Sequence, residues 1–243
     1  MIKLRRLFSR YRRAHRLGFR FCRVSSFVLP DELKFDKSTI GLEYPQEEGV
    51  FHDFTSIFLD DDYGIELLKS KDIGKIIDIG ANVGFFSLAS RLAFPYSQIH
   101  AYEPNQNLSR YLNSYSDSLK IENYPEAVGK KHGLVELELM GDSNQSRIKH
   151  SRKGSLPMIS IREAIDRIGG DAHLLKMDCE GSEWEILEEK QSLGSVRHIT
   201  LEYHLWKNHQ SHSFAIDAVK SHGFRILKHK PSTDFGIIVG TRD

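Results

Sequence analysis

The stretch Lys75–Ser87, KIIDIGANVGFFS, constrains this chain more than any other. Ile76, Ile77 and Ile79 make a short apolar run of the kind that fills a parallel strand covered on both faces. Gly80, Ala81, Asn82, Val83 and Gly84 then form a tight turn, and Phe85–Leu92 reads as a helix. A strand, a glycine turn and a helix start bring backbone N–H groups to the carboxyl edge of an open α/β sheet, where ligands dock.

The residues in the turn narrow the ligand. A dinucleotide fingerprint reads G-x-G-x-x-G, with a pyrophosphate on the helix N-terminus. Here the order is Asp78-x-Gly80-x-x-x-Gly84, so a carboxylate stands where the first glycine would be. A carboxylate facing a pyrophosphate puts two anions in one desolvated pocket, which is unfavourable. The same carboxylate suits a ligand with an ammonium group, and S-adenosylmethionine carries an ammonium, a ribose diol and an adenine but no phosphate. The next apolar strand, Gln98–Tyr102, ends in Glu103, 19 residues after Gly84, where an acid can accept from both ribose hydroxyls. Asn82 in the turn and Asn105 after the strand complete this cradle. Glu126 and Ala127 follow a third short strand, Ile121–Tyr124, at the topological position where a sheet that binds this cofactor would present backbone to the adenine ring.

A second informative stretch is His173–Glu189, HLLKMDCEGSEWEILEE. Leu174, Leu175 and Met177 form a buried strand with Asp178 at its carboxyl end. Glu180, Gly181 and the acidic helix start Ser182-Glu183 follow. Three acids within six residues at a strand end are costly to gather. Helix capping by Asp178 and Ser182, with acids favoured by the helix dipole, explains Glu183 but not Asp178 and Glu180. A fifth strand, Arg197–Tyr203, ends in Glu202-Tyr203-His204.

The remaining elements form a plan around these two stretches. Short strands are expected at Phe27–Leu29, Lys34–Phe35, Gly133–Met140 and Ile159–Ile161, and helices at Tyr63–Lys71, Asn105–Tyr115, Arg162–Ile168 and Phe214–Ser221. Gly141–Arg152 reads as a polar mobile loop over the site, and Arg225–Lys228 with Gly236–Val239 as a closing pair of strands. The expected fold is α/β: a Rossmann-like, doubly wound, mostly parallel sheet of about seven strands with an antiparallel terminal hairpin. Residues 1–30 form a basic leader, 31–70 a cap or lid segment, and 71–243 the cofactor-binding domain.

Charge is distributed unevenly. The chain of 243 residues has a net charge of +1, but residues 1–30 hold nine of the 34 Lys and Arg and no acid, leaving −8 on the remainder. Residues 1–23 set Leu4, Leu7, Phe8, Tyr11 and Ala14 on one helical face with arginines around the rest. This segment lacks the apolar core and cleavage site of a signal peptide. It reads as an amphipathic helix resting on anionic lipid or a partner, or as a solvated leader. Two cysteines in unrelated contexts and no long apolar run point to a reducing, cytoplasmic setting, with membrane association through the basic N-terminus as an added expectation.

Taken together, IIDIGANVGFFS, HAYEPN, LLKMDCEGSEWEIL and ITLEYH resemble the FkbM family of S-adenosylmethionine-dependent methyltransferases over roughly Gly74–Tyr203. The resemblance implies O-methylation, commonly of a sugar or other glycan hydroxyl. Cys179 stands where the family usually has an aliphatic residue. A hydroxyl nucleophile gains from a general base, for which the candidates are Asp178 and Glu180 first, then Glu202 and His204. Asp178, Glu180 and Glu202 sharing a divalent metal is a secondary reading, since no dedicated metal motif is present. His204, His209 and His212 fit no zinc spacing and read as surface residues. Nucleic acid is disfavoured as a partner, because the acidic body repels phosphate and the fourth strand lacks the D/N-P-P-aromatic motif of base methylation. A binding module without activity is the third alternative.

Overall fold

The computed structural model describes residues 2–23, 27–35, 38–138, 147–151, 154–189, 191–207 and 209–242. In chain order the elements are α1 (Ile2–Arg16), β1 (Glu32–Phe35), β2 (Ser38–Gly41), α2 (Glu48–Phe54), a π-helical segment (Thr55–Asp60), α3 (Ile65–Leu68), β3 (Lys75–Ile79), α4 (Phe85–Ala93), β4 (Gln98–Tyr102), α5 (Gln106–Leu119), β5 (Ile121–Tyr124), β6 (Ala127–Gly129) and β7 (Gly133–Glu138). They continue with β8 (Arg147–His150), β9 (Leu156–Ser160), α6 (Ile161–Arg167), β10 (Ala172–Met177), α7 (Glu183–Glu188), β11 (Val196–His204), α8 (His212–Ser221), β12 (Arg225–Pro231) and β13 (Phe235–Thr241).

The central sheet has seven strands in the order β12-β13-β11-β10-β3-β4-β5. Strands β11, β10, β3, β4 and β5 are parallel, and β13 runs antiparallel to both β11 and β12. This is the doubly wound, Rossmann-like sheet with an antiparallel terminal hairpin. The chain leaves β3 toward β4 and β5 on one side, and returns to β10 and β11 on the other. The topological switch point therefore lies between β3 and β10, and a crevice opens outside their carboxyl ends. Ile76, Ile77, Ile79, Leu174, Leu175 and Met177 are all buried there, as continuous apolar runs in a two-sided parallel sheet require.

Several local expectations are corrected. A separate four-stranded sheet, β6-β9-β7-β8, stands between β5 and α6. Its strand β8 occupies part of the segment read as a mobile loop; residues 141–146 and 152 of that loop, and Met140, lie outside the described residues. Phe27–Leu29 is not a strand: the Phe27 ring is drawn into an aromatic cluster with Phe19, Phe21, Phe51 and Phe54. The helix expected at Tyr63–Lys71 shrinks to Ile65–Leu68, because Asp61 and Gly64 both take left-handed backbone. Before it lies a helical run, α2 and the π-helical segment, that periodicity did not indicate. It packs Phe54 and Phe58 against Phe85 of α4, so residues before β3 share one core with the sheet's helices.

Helix α1 docks with its arginines. Arg6 and Arg10 each place two nitrogens on the Asp60 carboxylate at 2.6–3.1 Å, and Arg16 reaches Glu66 at 2.9 Å. Burial alone would raise the Asp60 carboxyl, but the two guanidinium forks hold it down at about 2. Of the apolar face Leu4, Leu7, Phe8, Tyr11 and Ala14, Ala14 alone is buried.

Candidate active site

A partly open cleft lies outside β3 and β10, lined by the ends of both strands and by the turn after β3. Its floor is set by a backbone contact that admits only glycine. Gly80 has φ +72°, and a Cβ there would lie 1.8 Å from the carbonyl oxygen of Asp178. The turn after β3 thus presses directly on the end of β10, while the Gly80 and Ala81 N–H groups donate to the Tyr102 carbonyl of β4. Three strand ends are tied together at this point.

One wall carries Glu103. Its Oε2 accepts from the Asn82 N–H and its Oε1 from the Asn105 N–H, both at 2.8 Å. Each oxygen keeps a second lone pair for a ligand hydroxyl. Burial raises this carboxyl to about 7 despite the two backbone donors. Asn82 itself takes φ +51°, and its Oδ1 is buried with no hydrogen-bond partner among the described residues. Glu126, Ala127 and Val128 also line the cleft, with Tyr102 and Ile79 among its apolar surface.

Five of the eight expected cofactor residues line the cleft: Gly80, Asn82, Glu103, Glu126 and Ala127. The other three lie behind it. Gly84 at φ +84° lets the α4 start pack against Leu112 and Tyr115. Asn105 caps α5 through its side chain. Asp78, expected to face a cationic ligand, is fully buried and turned inward. It accepts from Ser87 Oγ at 2.7 Å and pairs with Lys176 Nζ at 3.1 Å. Its charge is thus neutralised within the protein, and Glu103 is the acid that meets the cleft.

The four expected catalytic residues converge at the other end. Asp178 and Glu180 line the cleft at the end of β10, and Glu202 and His204 come from the end of β11. His204, buried rather than superficial, places Nε2 at 3.5 Å from Glu180 and 3.8 Å from Glu202. Its Nδ1 lies 3.1 Å from Glu183, whose carboxylate also accepts from the His204 and Gly181 N–H groups. Glu183 therefore orients the imidazole and does not serve only the helix dipole. His212 turns away to the Tyr203 hydroxyl. Asp178, Glu180 and His204 each offer a ligand atom within 4.8 Å of the others, so the metal-capable group includes His204 in place of Glu202.

Two participants escaped the sequence reading. Tyr63 sets its hydroxyl 2.8 Å from Asp178 and 2.7 Å from Glu202. One hydroxyl hydrogen cannot serve both, so one contact is donated by a protonated carboxyl. Glu202 fits that role, because burial and the nearby Asp178 charge push it well above the usual carboxylate range. Asp53, from α2, accepts from Asn82 Nδ2 at 3.1 Å and is raised to about 7 by burial and Asp178. Neither stands in a recognisable motif: Tyr63 is more than 100 residues from the two acids it contacts, and Asp53 meets Asn82 across 29 residues of chain. Glu180 is raised to about 8 by burial, with His204 opposing and Asp178 and Glu183 adding to the rise. His204 would be lowered by burial, but Glu183, Glu180 and Asp178 hold it at about 10.

A family model described as the methyltransferase FkbM domain matches residues 78–226. The chain is 24% identical over 261 aligned positions to the AMB antimetabolite synthetase AmbE of Pseudomonas aeruginosa, an alignment covering 84% of this chain. It spans only 12% of that protein's length. Among solved structures it is similar to an O-methyltransferase family protein from Burkholderia thailandensis (9% identity, 80% of this chain and 59% of that one, TM-score 0.46). It is also similar to magnesium protoporphyrin IX methyltransferase from Synechocystis, solved with its bound cofactor (10% identity, 83% and 87%, TM-score 0.45).

Proposed function

This chain belongs to the FkbM methyltransferase family, as an S-adenosylmethionine-dependent methyltransferase, and on that premise we propose that it O-methylates a hydroxyl of a sugar, glycan or other small molecule. The observation that carries this reading is the cluster of Asp178, Glu180, Glu202 and His204 beside the Glu103 cradle. The cradle fits the cofactor: paired lone pairs on Glu103 suit a ribose diol, the orphaned Asn82 Oδ1 suits a donor, and the apolar wall suits a nucleobase.

When bound, S-adenosylmethionine supplies a methyl group activated by its sulfonium. The chain's own residues position the acceptor and handle its proton. Glu180 faces the cleft and would take the acceptor's hydroxyl proton as the methyl group passes from sulfur to oxygen, leaving the cofactor a neutral thioether. His204, cationic at neutral pH, steadies the Glu180 carboxylate from 3.5 Å, and Glu183 fixes the ring. Tyr63 holds Asp178 and Glu202 in place behind them.

A divalent cation bound by Asp178, Glu180 and His204 is a second reading, favoured by the closeness of their ligand atoms. In that case Glu183 would be the carboxylate that orients a ligating histidine. Incubation with methyl-labelled cofactor and fractionated glycan, glycolipid, small-molecule and RNA pools, with and without EDTA, separates these outcomes. Label in an alkali-stable O-methyl group of a glycan or small molecule supports the proposal. Label confined to RNA overturns it, and EDTA-insensitive turnover removes the cation.

A further inference from the structure

Helix α1 is docked the wrong way round for a protein surrounded only by water. An amphipathic helix on a soluble body normally turns its apolar stripe inward and its charges outward. Here Arg6, Arg10, Arg13 and Arg16 face the body and pair with Asp60, Asp61 and Glu66. The apolar stripe is turned out, with Leu4 72%, Phe8 64% and Tyr11 54% exposed. Leu7 completes it at 40%. Four large apolar groups on one helical line make an organised patch rather than scattered surface residues.

The charges beside the stripe identify what covers it. Arg5 and Arg12, one turn apart twice over, flank its edge and make no ion pair among the described residues. With Phe8, Ser9 and Arg16 they line a shallow groove in which Glu66 is the one acid. A protein partner burying this stripe would have to match an apolar ridge bordered by cations. A bilayer with anionic headgroups meets both features with one surface, acyl chains for the stripe and phosphates for the arginines. We propose that α1 lies in the interface of an anionic phospholipid bilayer, with Leu4, Leu7, Phe8 and Tyr11 inserted and Arg5 and Arg12 on lipid phosphates.

The arginine–Asp60 clamp then has a clear purpose. It fixes the helix rigidly to the catalytic body, so that docking on the membrane sets the orientation of the body as well. A flexibly tethered helix would anchor the protein without orienting it. Together with the Arg13–Asp61 and Arg16–Glu66 pairs, the clamp accounts for four of the nine cations in residues 1–30, leaving the flank of the stripe to act on lipid.

The test is co-sedimentation of the full chain with vesicles of phosphatidylcholine alone and of phosphatidylcholine with phosphatidylglycerol. The protein is expected to sediment with the anionic vesicles only, and less as salt rises. Leu4→Glu with Phe8→Glu should weaken that binding by at least roughly tenfold, and Arg5→Ala with Arg12→Ala by a similar factor. Both variants should keep the wild-type thermal shift with S-adenosylmethionine, which separates lost docking from lost folding. Absence of anionic-vesicle binding overturns the proposal, as does binding unchanged in Leu4→Glu with Phe8→Glu. Concentration-dependent dimerisation abolished by the same variant would assign the stripe to a second copy of the chain, and preferential retention on RNA would assign the arginines elsewhere; either result also overturns it.

Discussion

Lys176 is the residue whose loss the fold should tolerate least. It is 3% exposed, and its ammonium donates to the carbonyls of Gly80 at 2.5 Å and Ile79 at 3.2 Å. It pairs with Asp78 at 3.1 Å and lies 3.8 Å from Asp178. Burial alone would lower its pKa, but the two aspartates overcome this and raise it, so its contribution is fully present at neutral pH and lost only in strong alkali. Lys176→Met would strip the fully buried Asp78 of its cation and leave it Ser87 as its donor among the described residues. Unit charges 3.1 Å apart interact by roughly 5 kcal/mol at an effective dielectric constant of about 20. Breaking a buried pair from one side typically costs about 3–5 kcal/mol. Against a total stability of about 5–15 kcal/mol, that is a large fraction.

Urea unfolding at neutral pH measures this loss as a shift in midpoint at unchanged slope. Adding Asp78→Asn to Lys176→Met should recover at least about 2 kcal/mol, because the stranded charge is removed while the Ser87 contact is kept. A loss below about 1 kcal/mol in the single variant would refute the reasoning. So would a double variant no more stable than the single one.

Three further outcomes follow from the geometry. Gly80→Ala, which must find room for a Cβ 1.8 Å from the Asp178 carbonyl oxygen at a φ of +72°, should lower the melting temperature and abolish the thermal shift with S-adenosylmethionine; a wild-type shift would contradict the cradle. Glu180, raised to about 8, becomes a competent base as pH climbs through that value, so turnover should rise across it. Glu180→Gln should lose about 10²–10⁴-fold in kcat together with that limb of the profile, and retention of the limb would assign it to another group. Asp60, held at about 2, stabilises α1 docking above the ordinary carboxylate range and loses that contribution as pH falls from about 4 toward 2. Hydrogen exchange over residues 2–16 should quicken in that window, and Asp60→Asn should show the fast exchange at every pH.

The parallel core was legible because its signals are local. Ile76, Ile77 and Ile79 form one strand, Gly80 and Gly84 a turn, and Asp178 follows an apolar run, so the strand ends that frame the cleft could be placed from spacing, while their adjacency in the sheet could not. The second sheet was half legible: β7 and β9 overlap the strands expected at Gly133–Met140 and Ile159–Ile161, but β6 has three residues and β8 four, too short for alternation to stand out from loop. Tyr63 and Asp53 were missed because their partners, Asp178 and Asn82, are brought close only by tertiary packing. The orientation of α1 was hidden for the same reason. Its amphipathic pattern shows two faces, but which one meets the body depends on Asp60, fifty residues away from Arg10. Asp78 shows the opposite case: its position in the motif was clear, but its direction was set by a lysine on the neighbouring strand.

The central claim is that Glu103 and its backbone donors form a phosphate-free nucleoside cradle. Calorimetric titration of the chain with S-adenosylmethionine, and in parallel with NADH, tests it most directly. The account predicts saturable heat with S-adenosylmethionine, lost in Glu103→Ala while the fold persists, and none with NADH. Binding of NADH with silence toward S-adenosylmethionine, or full affinity in Glu103→Ala, would contradict it.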